Sequence, residues 1–533
     1  GSSGQLVRVL SSEMLAAVRP YMGRVTTDVT LRVNVGGHRK KQELQEFLND
    51  LASTSSRLKV EEAVLQNPDA GPLTFQVTAR SKETKIYFSG VPGGHEFNSL
   101  VLAILQVSGS DLKLDDSIEQ YFSRVSMPIS FKVYVSLDCE NCPDVVQTLN
   151  KFSVLSGFVS TETVDGGVFQ DEVKALGIQG VPTVFLNGEL FHVGRLNLAA
   201  IMGKLRNLFP FPETSFESDK TSRTFDIAIV GGGPAAISAA IYTARKGLDI
   251  VLIGEKLGGQ VAETMDIENM ISVPSTTGAR LTNDLKEHVG QYSLKIREGV
   301  SVTKIEPGPV KTLALSTGEK LEATAVIIAT GANWRELNIP GEKERIGSGV
   351  AYCPHCDGPF FKDKDIAVVG GGNSGIEAAL DLSGIARSVT LLEFMPELKA
   401  DAILVDRAKQ RANISLLTNV ECLEVLSQSE KVSGLRYADR NTLENTDLQV
   451  SGIFVQIGLI PNSKFLPTEI KVNKHGEIVV SQKGETSVDG IFACGDVTTV
   501  PYKQIVIAMG DGANVALATA EYVTSRQTVL EAV

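Results

Sequence analysis

Apolar and polar positions follow two rhythms along this chain. Residues 29–35 alternate strictly, a period of two that predicts a half-buried strand. Gly36-Gly37 then turns the chain, and apolar spacing over 42–51 predicts a helix. Strands are expected at 73–78 and 84–88, and a helix at 97–106. The same succession returns downstream. A strand at 131–136, a turn at 139–142 and a helix at 143–155 precede a strand at 159–164 and a helix at 170–176. A hairpin follows at 181–186 and 190–193 around Asn187-Gly188, then a helix at 198–205.

This order, met twice, is that of a thioredoxin fold. The second copy carries Cys139-Glu-Asn-Cys142 after a strand and at a helix start, where that fold places its dithiol. Val181-Pro182 stands where the fold has a cis-proline facing the dithiol. The first copy has Gly36-Gly37-His38 there and is expected to be redox-silent. Residues 209–224 are rich in Pro, Ser and charge and read as a linker. Beyond them the rhythm changes. Apolar runs at 225–230 and 365–369 each enter a glycine-rich loop, a helix of small residues (235–246, 374–383) and another apolar run (249–253, 388–392). Two strand–loop–helix–strand units make the C-terminal part Rossmann-like, so the fold class is α/β throughout.

With 533 residues, three or four domains are expected. A net charge of −12 argues against nucleic acid or an anionic membrane surface as the main partner. The longest apolar runs, such as 323–329, are strand-sized, and the N-terminus lacks the succession of a secretory leader. A cytoplasmic location is expected. Of six cysteines, four form two Cys-x-x-Cys pairs, which in such a chain points to redox or metal chemistry. Cys422 and Cys494 stand alone as apolar filler. The two pairs lie on separate folds and no metal-ligand spacing appears among the histidines, so no metal is expected.

Each candidate site follows from its local chemistry. Gly231-x-Gly233-x-x-Ala236 fits a dinucleotide loop: a turn, close backbone approach to a pyrophosphate, and a small residue for helix packing. Glu255, ending the next strand, is placed to accept from a ribose hydroxyl. Gly370-x-Gly372-Asn373-Ser374-Gly375 is the second loop and fits the nicotinamide nucleotide. Its strand ends at Glu393, with Glu397 nearby and Lys399 the nearest cation in sequence. Glu393 can accept from a free 2′-hydroxyl and repels a 2′-phosphate, so NADH is expected over NADPH. Cys353-Pro-His-Cys356 is the second redox pair, with Asp357 beside it as a candidate acid. Cys139 lies near a helix N-terminus, which favours its thiolate, and Glu96 of the first copy is a candidate proton handler.

Further segments resemble known flavin contacts. Residues 326–331, ending Thr330-Gly331, and 486–496, ending Gly495-Asp496, look like the two flavin motifs of flavin-disulfide reductases. Gly258-Gly259-Gln260 and Glu268-Asn269 are similar to flavin-contacting segments of low-molecular-weight thioredoxin reductases. The segments Cys139-x-x-Cys142-Pro-Asp-Val-Val-Gln147, Tyr352-Cys-Pro-His-Cys-Asp-Gly-Pro359 and Pro501-Tyr-Lys-Gln504 make the chain resemble the flavoprotein components of bacterial alkyl hydroperoxide reductases. That resemblance implies a homodimer holding FAD and using NADH. Electrons pass to FAD, then Cys353/Cys356, then Cys139/Cys142, and then a two-cysteine peroxiredoxin, the peroxidase component of the same alkyl hydroperoxide reductase system. It also implies a thioredoxin-like fold at 1–127, a second at 128–208, a flavin domain at 225–340 and 453–533, and a rotating nicotinamide domain at 341–452 inserted into it. The alternatives are a thioredoxin reductase fused to thioredoxin, a peroxide-forming NADH oxidase, and a flavin redox sensor that does not turn over.

Overall fold

The computed structural model describes residues 10–178, 180–211, 223–264 and 266–532; most of the expected linker 209–224 falls outside them. The chain divides into two compact units, Gly1–Leu196 and Asn197–Val533.

In the first unit both alternating halves enter one eight-stranded sheet. Its order is Leu58–Glu62, Val29–Val33, Thr74–Ala79, Ile86–Ser89, Val159–Asp165, Ile129–Val135, Thr183–Leu186, Glu189–Val193. The first four strands and the last four repeat one topology: a parallel pair, then two antiparallel neighbours. The copies join edge to edge, Ile86 opposite Thr161 through Ser89 opposite Val164, in parallel register. Strand Thr74–Ala79 is buried at every position, lying between two neighbouring strands and against helix Phe97–Val107. Three elements escape the rhythm of the sequence. Helices Ser12–Met22 and Asp116–Ser123 are short, and strand Leu58–Glu62 is an edge strand with one buried side chain.

In the first copy, the helix Lys41–Ala52 opens with a lysine where the second copy's helix Cys142–Leu155 opens with Cys142. The Lys41 ammonium donates to the carbonyls of Asn34 and Pro72. A buried cation tied to two carbonyls thus stands at the helix start that carries a cysteine in the second copy.

The second unit holds the two dinucleotide folds. Strands Thr224–Val230, Ile250–Gly254 and Lys295–Glu298 run parallel, extend through Lys320–Ile328 to two antiparallel strands, and gain Ile491–Ala493. A separate five-stranded parallel sheet contains Val350–Ala351, Gly452–Val455, Asp365–Val369, Ser388–Leu392 and Ile414–Leu417. The chain passes between these sheets twice, and the passages pair as an antiparallel ribbon, Ala332–Trp334 against Leu459–Pro461. The second flavin-domain segment is expected from sequence to start at 453, but Gly452–Val455 is a fully buried strand of this sheet; the return comes after it. An apolar run that short reads equally as strand or linker until its neighbours are known. Among the described residues no helix is long and apolar enough to cross a membrane.

Candidate functional site

Gly231 ends its strand with φ +137°, and a Cβ there would lie 2.1 Å from the Ala329 carbonyl oxygen. Only glycine closes this turn. Gly233 faces open space but for the Gly259 α-carbon at 3.9 Å, so the backbone can meet a ligand. The helix Pro234–Ala244 starts at Gly233 without a side-chain cap, leaving its first N–H groups for phosphate. Ala236 is fully buried against the sheet. Gly258 donates its N–H to the Gly232 carbonyl, which brings the Gly259-Gln260 turn onto the loop. Thr330 and Gly331 are locked to Asn462 by three hydrogen bonds, Thr330 Oγ1 to Asn462 O at 2.7 Å among them.

Gly495 sits over Ala235, and beside it the half-buried Asp496 carboxylate makes no hydrogen bond among the described residues. Burial pushes Asp496 above the usual carboxylate range, against the pull of Lys503. A carboxylate left over at the mouth of a dinucleotide loop fits a hydroxyl-bearing ligand, so these residues fit FAD. Glu255 follows its strand as expected, but its oxygens already accept from Ser301 Oγ (3.0 Å) and Asn197 Nδ2 (3.1 Å). A ribose hydroxyl would share it. Asp511, which accepts from the Gly495 N–H at 2.7 Å, belongs to no sequence motif and is visible only in the fold.

The second loop repeats the first. Gly370 has φ +123°, a Cβ at Gly375 would lie 1.8 Å from the Gly370 oxygen, and Gly372 has nothing within 4 Å. Helix Asn373–Ser383 begins uncapped, with Ser374 exposed and Asn373 exchanging two hydrogen bonds with Asp401. The Glu393 Cβ lies 3.0 Å from where a Gly371 Cβ would be, so this carboxylate does stand at the loop. One cation hidden from the local sequence arrives here. Arg440 stacks on Phe394, 3.8 Å from its centroid, and donates to the Phe394 carbonyl and Asn419 Oδ1. Only its Nη1 is engaged in this way, so the preference for NADH rests on the Glu393 carboxylate at the loop. We expect kcat/KM for NADH to exceed that for NADPH by at least tenfold, about 1.4 kcal/mol. Equal values for the two nucleotides would overturn this role of Glu393.

Cys353 and Cys356 form a disulfide at the start of the short helix Pro354–Asp357. Gln504 reaches both sulfurs, at 3.9 and 3.8 Å, and accepts from Asn269 Nδ2 at 3.2 Å. Gln504 thus ties the pair to a candidate flavin contact; its signal in the sequence was the 501–504 segment, which carried no assigned role. Gln260 points to Asn333 Oδ1 on the inter-sheet ribbon instead, at 2.6 Å. Asp357 is buried next to the pair. The expected fillers differ: Cys494 is fully buried, while Cys422 is half-buried, with burial pushing its thiol up to about 12.

In the first unit, Cys139 and Cys142 are thiols beside the cis Val181-Pro182 bond, with Cys139 Sγ 4.0 Å from the Val181 carbonyl. The Cys142 thiol, and then the N–H groups of Asn141 and Cys142, draw Cys139 below the usual thiol range; burial opposes them. Burial, and then the hydrogen bond to Cys139, push Cys142 well above that range. Such a split gives one attacking thiolate and one resolving thiol. Glu96 is fully buried nearby. It accepts from Ser99 Oγ at 2.9 Å, and burial raises it to about 7.

Residues 225–512 match the pyridine nucleotide-disulphide oxidoreductase family, and 129–206 match a thioredoxin domain. The alkyl hydroperoxide reductase F subunit of Pseudomonas putida is 44% identical, with 96% of this chain and 98% of that protein covered. A protein named NADH dehydrogenase from Bacillus subtilis (strain 168) is 44% identical over 96% and 99%. Among solved structures, the thioredoxin reductase of Streptococcus pyogenes MGAS5005 is similar, with a TM-score of 0.55 and 34% identity, covering 57% of this chain and all of that one. With a split thiol pair in one unit, and a disulfide and two dinucleotide loops in the other, the chain belongs to the pyridine nucleotide-disulphide oxidoreductases, in the family of the alkyl hydroperoxide reductase flavoproteins, FAD- and NAD(P)H-dependent disulfide reductases.

Proposed function

We propose that this enzyme uses NADH to reduce a two-cysteine peroxiredoxin through Cys353/Cys356 and then Cys139/Cys142, so that hydroperoxides are removed. The observation that carries this is the pair of dithiols in two different environments: one against Gln504 beside the dinucleotide folds, the other beside a cis-proline with a lowered Cys139. FAD, when bound, supplies two-electron transfer between a nicotinamide and a disulfide. Gly231, Gly233, Ala236, Glu255, Gly259, Gln260, Asn269, Thr330, Gly331, Gly495 and Asp496 hold it. Gly370, Gly372, Asn373, Ser374, Gly375 and Glu393 hold NADH. Asp357 exchanges a proton at the Cys353/Cys356 sulfurs, and Glu96 does so at Cys142. Each thiol step passes through a mixed disulfide. The working form is a cytoplasmic homodimer.

The Bacillus relative is named only for NADH oxidation, which keeps a second reading in view: NADH oxidised with O₂ as the direct acceptor. NADH consumption with and without a purified bacterial two-cysteine peroxiredoxin and a hydroperoxide decides between them. We expect consumption to need both additions. A rate equal in their absence would leave the oxidase reading standing.

A further inference from the structure

Beside Glu96 lies a cavity of about 10 Å³, lined by Ser89, Gly90, Glu96, Leu137, Thr163 and Asp165 among others. That is about the space one water requires. Two buried polar atoms of its lining residues have no hydrogen-bond partner among the described residues: Glu96 Oε2 and Thr163 Oγ1. Orphans of this kind are costly unless something satisfies them. Two orphans lining a water-sized space are the partners such a water needs. The third polar group is Asp165, which ends the strand Val159–Asp165 and is half-buried at the solvent side. Gly90 makes room for it: a Cβ there would lie 2.9 Å from the Asp165 Cβ and 3.7 Å from its Oδ2.

We propose that Thr163 and Asp165 complete a proton path, through a water held in this cavity, between Glu96 and solvent. The inference rests on the reading that Cys139/Cys142 exchange electrons with Glu96 as proton partner. In the oxidative direction the Cys142 sulfur bonds to the Cys139 sulfur, the bond from Cys139 to the partner sulfur breaks, and the partner leaves as thiolate with the electron pair. The Cys142 proton goes to Glu96, and from there to the water, Asp165 and bulk. Reduction of the Cys139–Cys142 disulfide runs the path inward.

Such a path is needed because Glu96 is fully buried and turns over only if it is reset in every cycle. Other charged groups surround it. Cys139 and Cys142 face Glu96; Lys40 and Asp138 act on Asp165; Glu162 holds Ser89 Oγ at 2.6 Å on the cavity wall. Burial raises Asp165 above the usual carboxylate range, against the Gly167 and Val168 N–H groups and Lys40, which favours its accepting a proton from the path. For disulfide formation Glu96 must be ionised, so that direction speeds up as pH rises through about 7. For disulfide reduction Glu96 must be protonated, so that direction slows over the same range.

The test uses the full, flavin-loaded chain with Cys353→Ser and Cys356→Ser, so that only Cys139/Cys142 responds. Exchange with dithiothreitol is followed by quenched alkylation from pH 5.5 to 9. We expect Asp165→Asn to slow exchange roughly tenfold and Thr163→Val about threefold, with free thiol titration of Cys139 unchanged. Formate should restore Asp165→Ala, whose truncated side chain admits a small proton carrier; a purely structural defect would not respond. Parent-like rates in the Asp165 and Thr163 variants, or slowing that formate leaves untouched, overturn the path. If those rates are normal while Glu96→Gln is slow, only the path fails. If Glu96→Gln is itself normal, the underlying role of Glu96 fails with it.

Discussion

Replacing Cys139 and Cys142 together by serine will cut peroxiredoxin-coupled peroxide turnover by more than about 10³-fold, over 4 kcal/mol of lost transition-state access. NADH reduction of a small aromatic disulfide will stay at the parent rate. The reason is the division of labour. Cys353/Cys356 and both dinucleotide loops lie in the unit Asn197–Val533, which has its own buried cores around Ile227–Ile229 and Ile366–Val368. The carrier pair lies in Gly1–Leu196, with its own sheet. Removing residues 1–210 should have the same effect as the serine pair. Full peroxide turnover by either variant would show that Cys139/Cys142 is not an obligatory carrier.

Locking the two dinucleotide folds together will stop NADH oxidation by at least about a hundredfold. The helix Pro354–Asp357 lies against Asp266–Ile267, and Gln504 grips its disulfide. In this arrangement the disulfide, not the nicotinamide loop, meets the candidate flavin contacts. Cys353/Cys356 follows strand Val350–Ala351 and Gly370–Gly375 follows strand Asp365–Val369 of one five-stranded sheet, so the two travel together. Both cannot take the same place at once. On the proposed rotation, the ribbon Ala332–Trp334 with Leu459–Pro461 would be the bearing. A cysteine crosslink from Pro354–Asp357 to Asp266–Ile267 should block turnover reversibly. Dithionite should still reduce the Cys353–Cys356 disulfide in the locked enzyme. Normal NADH turnover while crosslinked would exclude rotation.

Much of this was legible because the relevant residues are contiguous. A glycine loop between a strand and a helix, or a Cys-x-x-Cys at a helix start, is a local motif, and each landed where its spacing placed it. What escaped is chemistry assembled from distant segments. Gln504 meets the disulfide from the far side of the chain, Asp511 anchors Gly495, and Arg440 reaches Phe394 from a hairpin 46 residues on. No periodicity signals such encounters. Edge strand Leu58–Glu62 was missed for another reason: with one face open and a partner on one side only, it needs few apolar residues.

The edge-to-edge seam between Ile86–Ser89 and Val159–Asp165 has a consequence for how this fold can be divided. A duplicated domain is usually free to lose its idle half. Here the first copy occupies a strand edge that would otherwise lie open to pairing with another chain, and on the proposed reading it also lends Glu96 to a dithiol it does not carry. The smallest portable electron carrier in this protein is therefore both copies together. Any attempt to graft the Cys139/Cys142 half alone would yield a sticky sheet with no internal base.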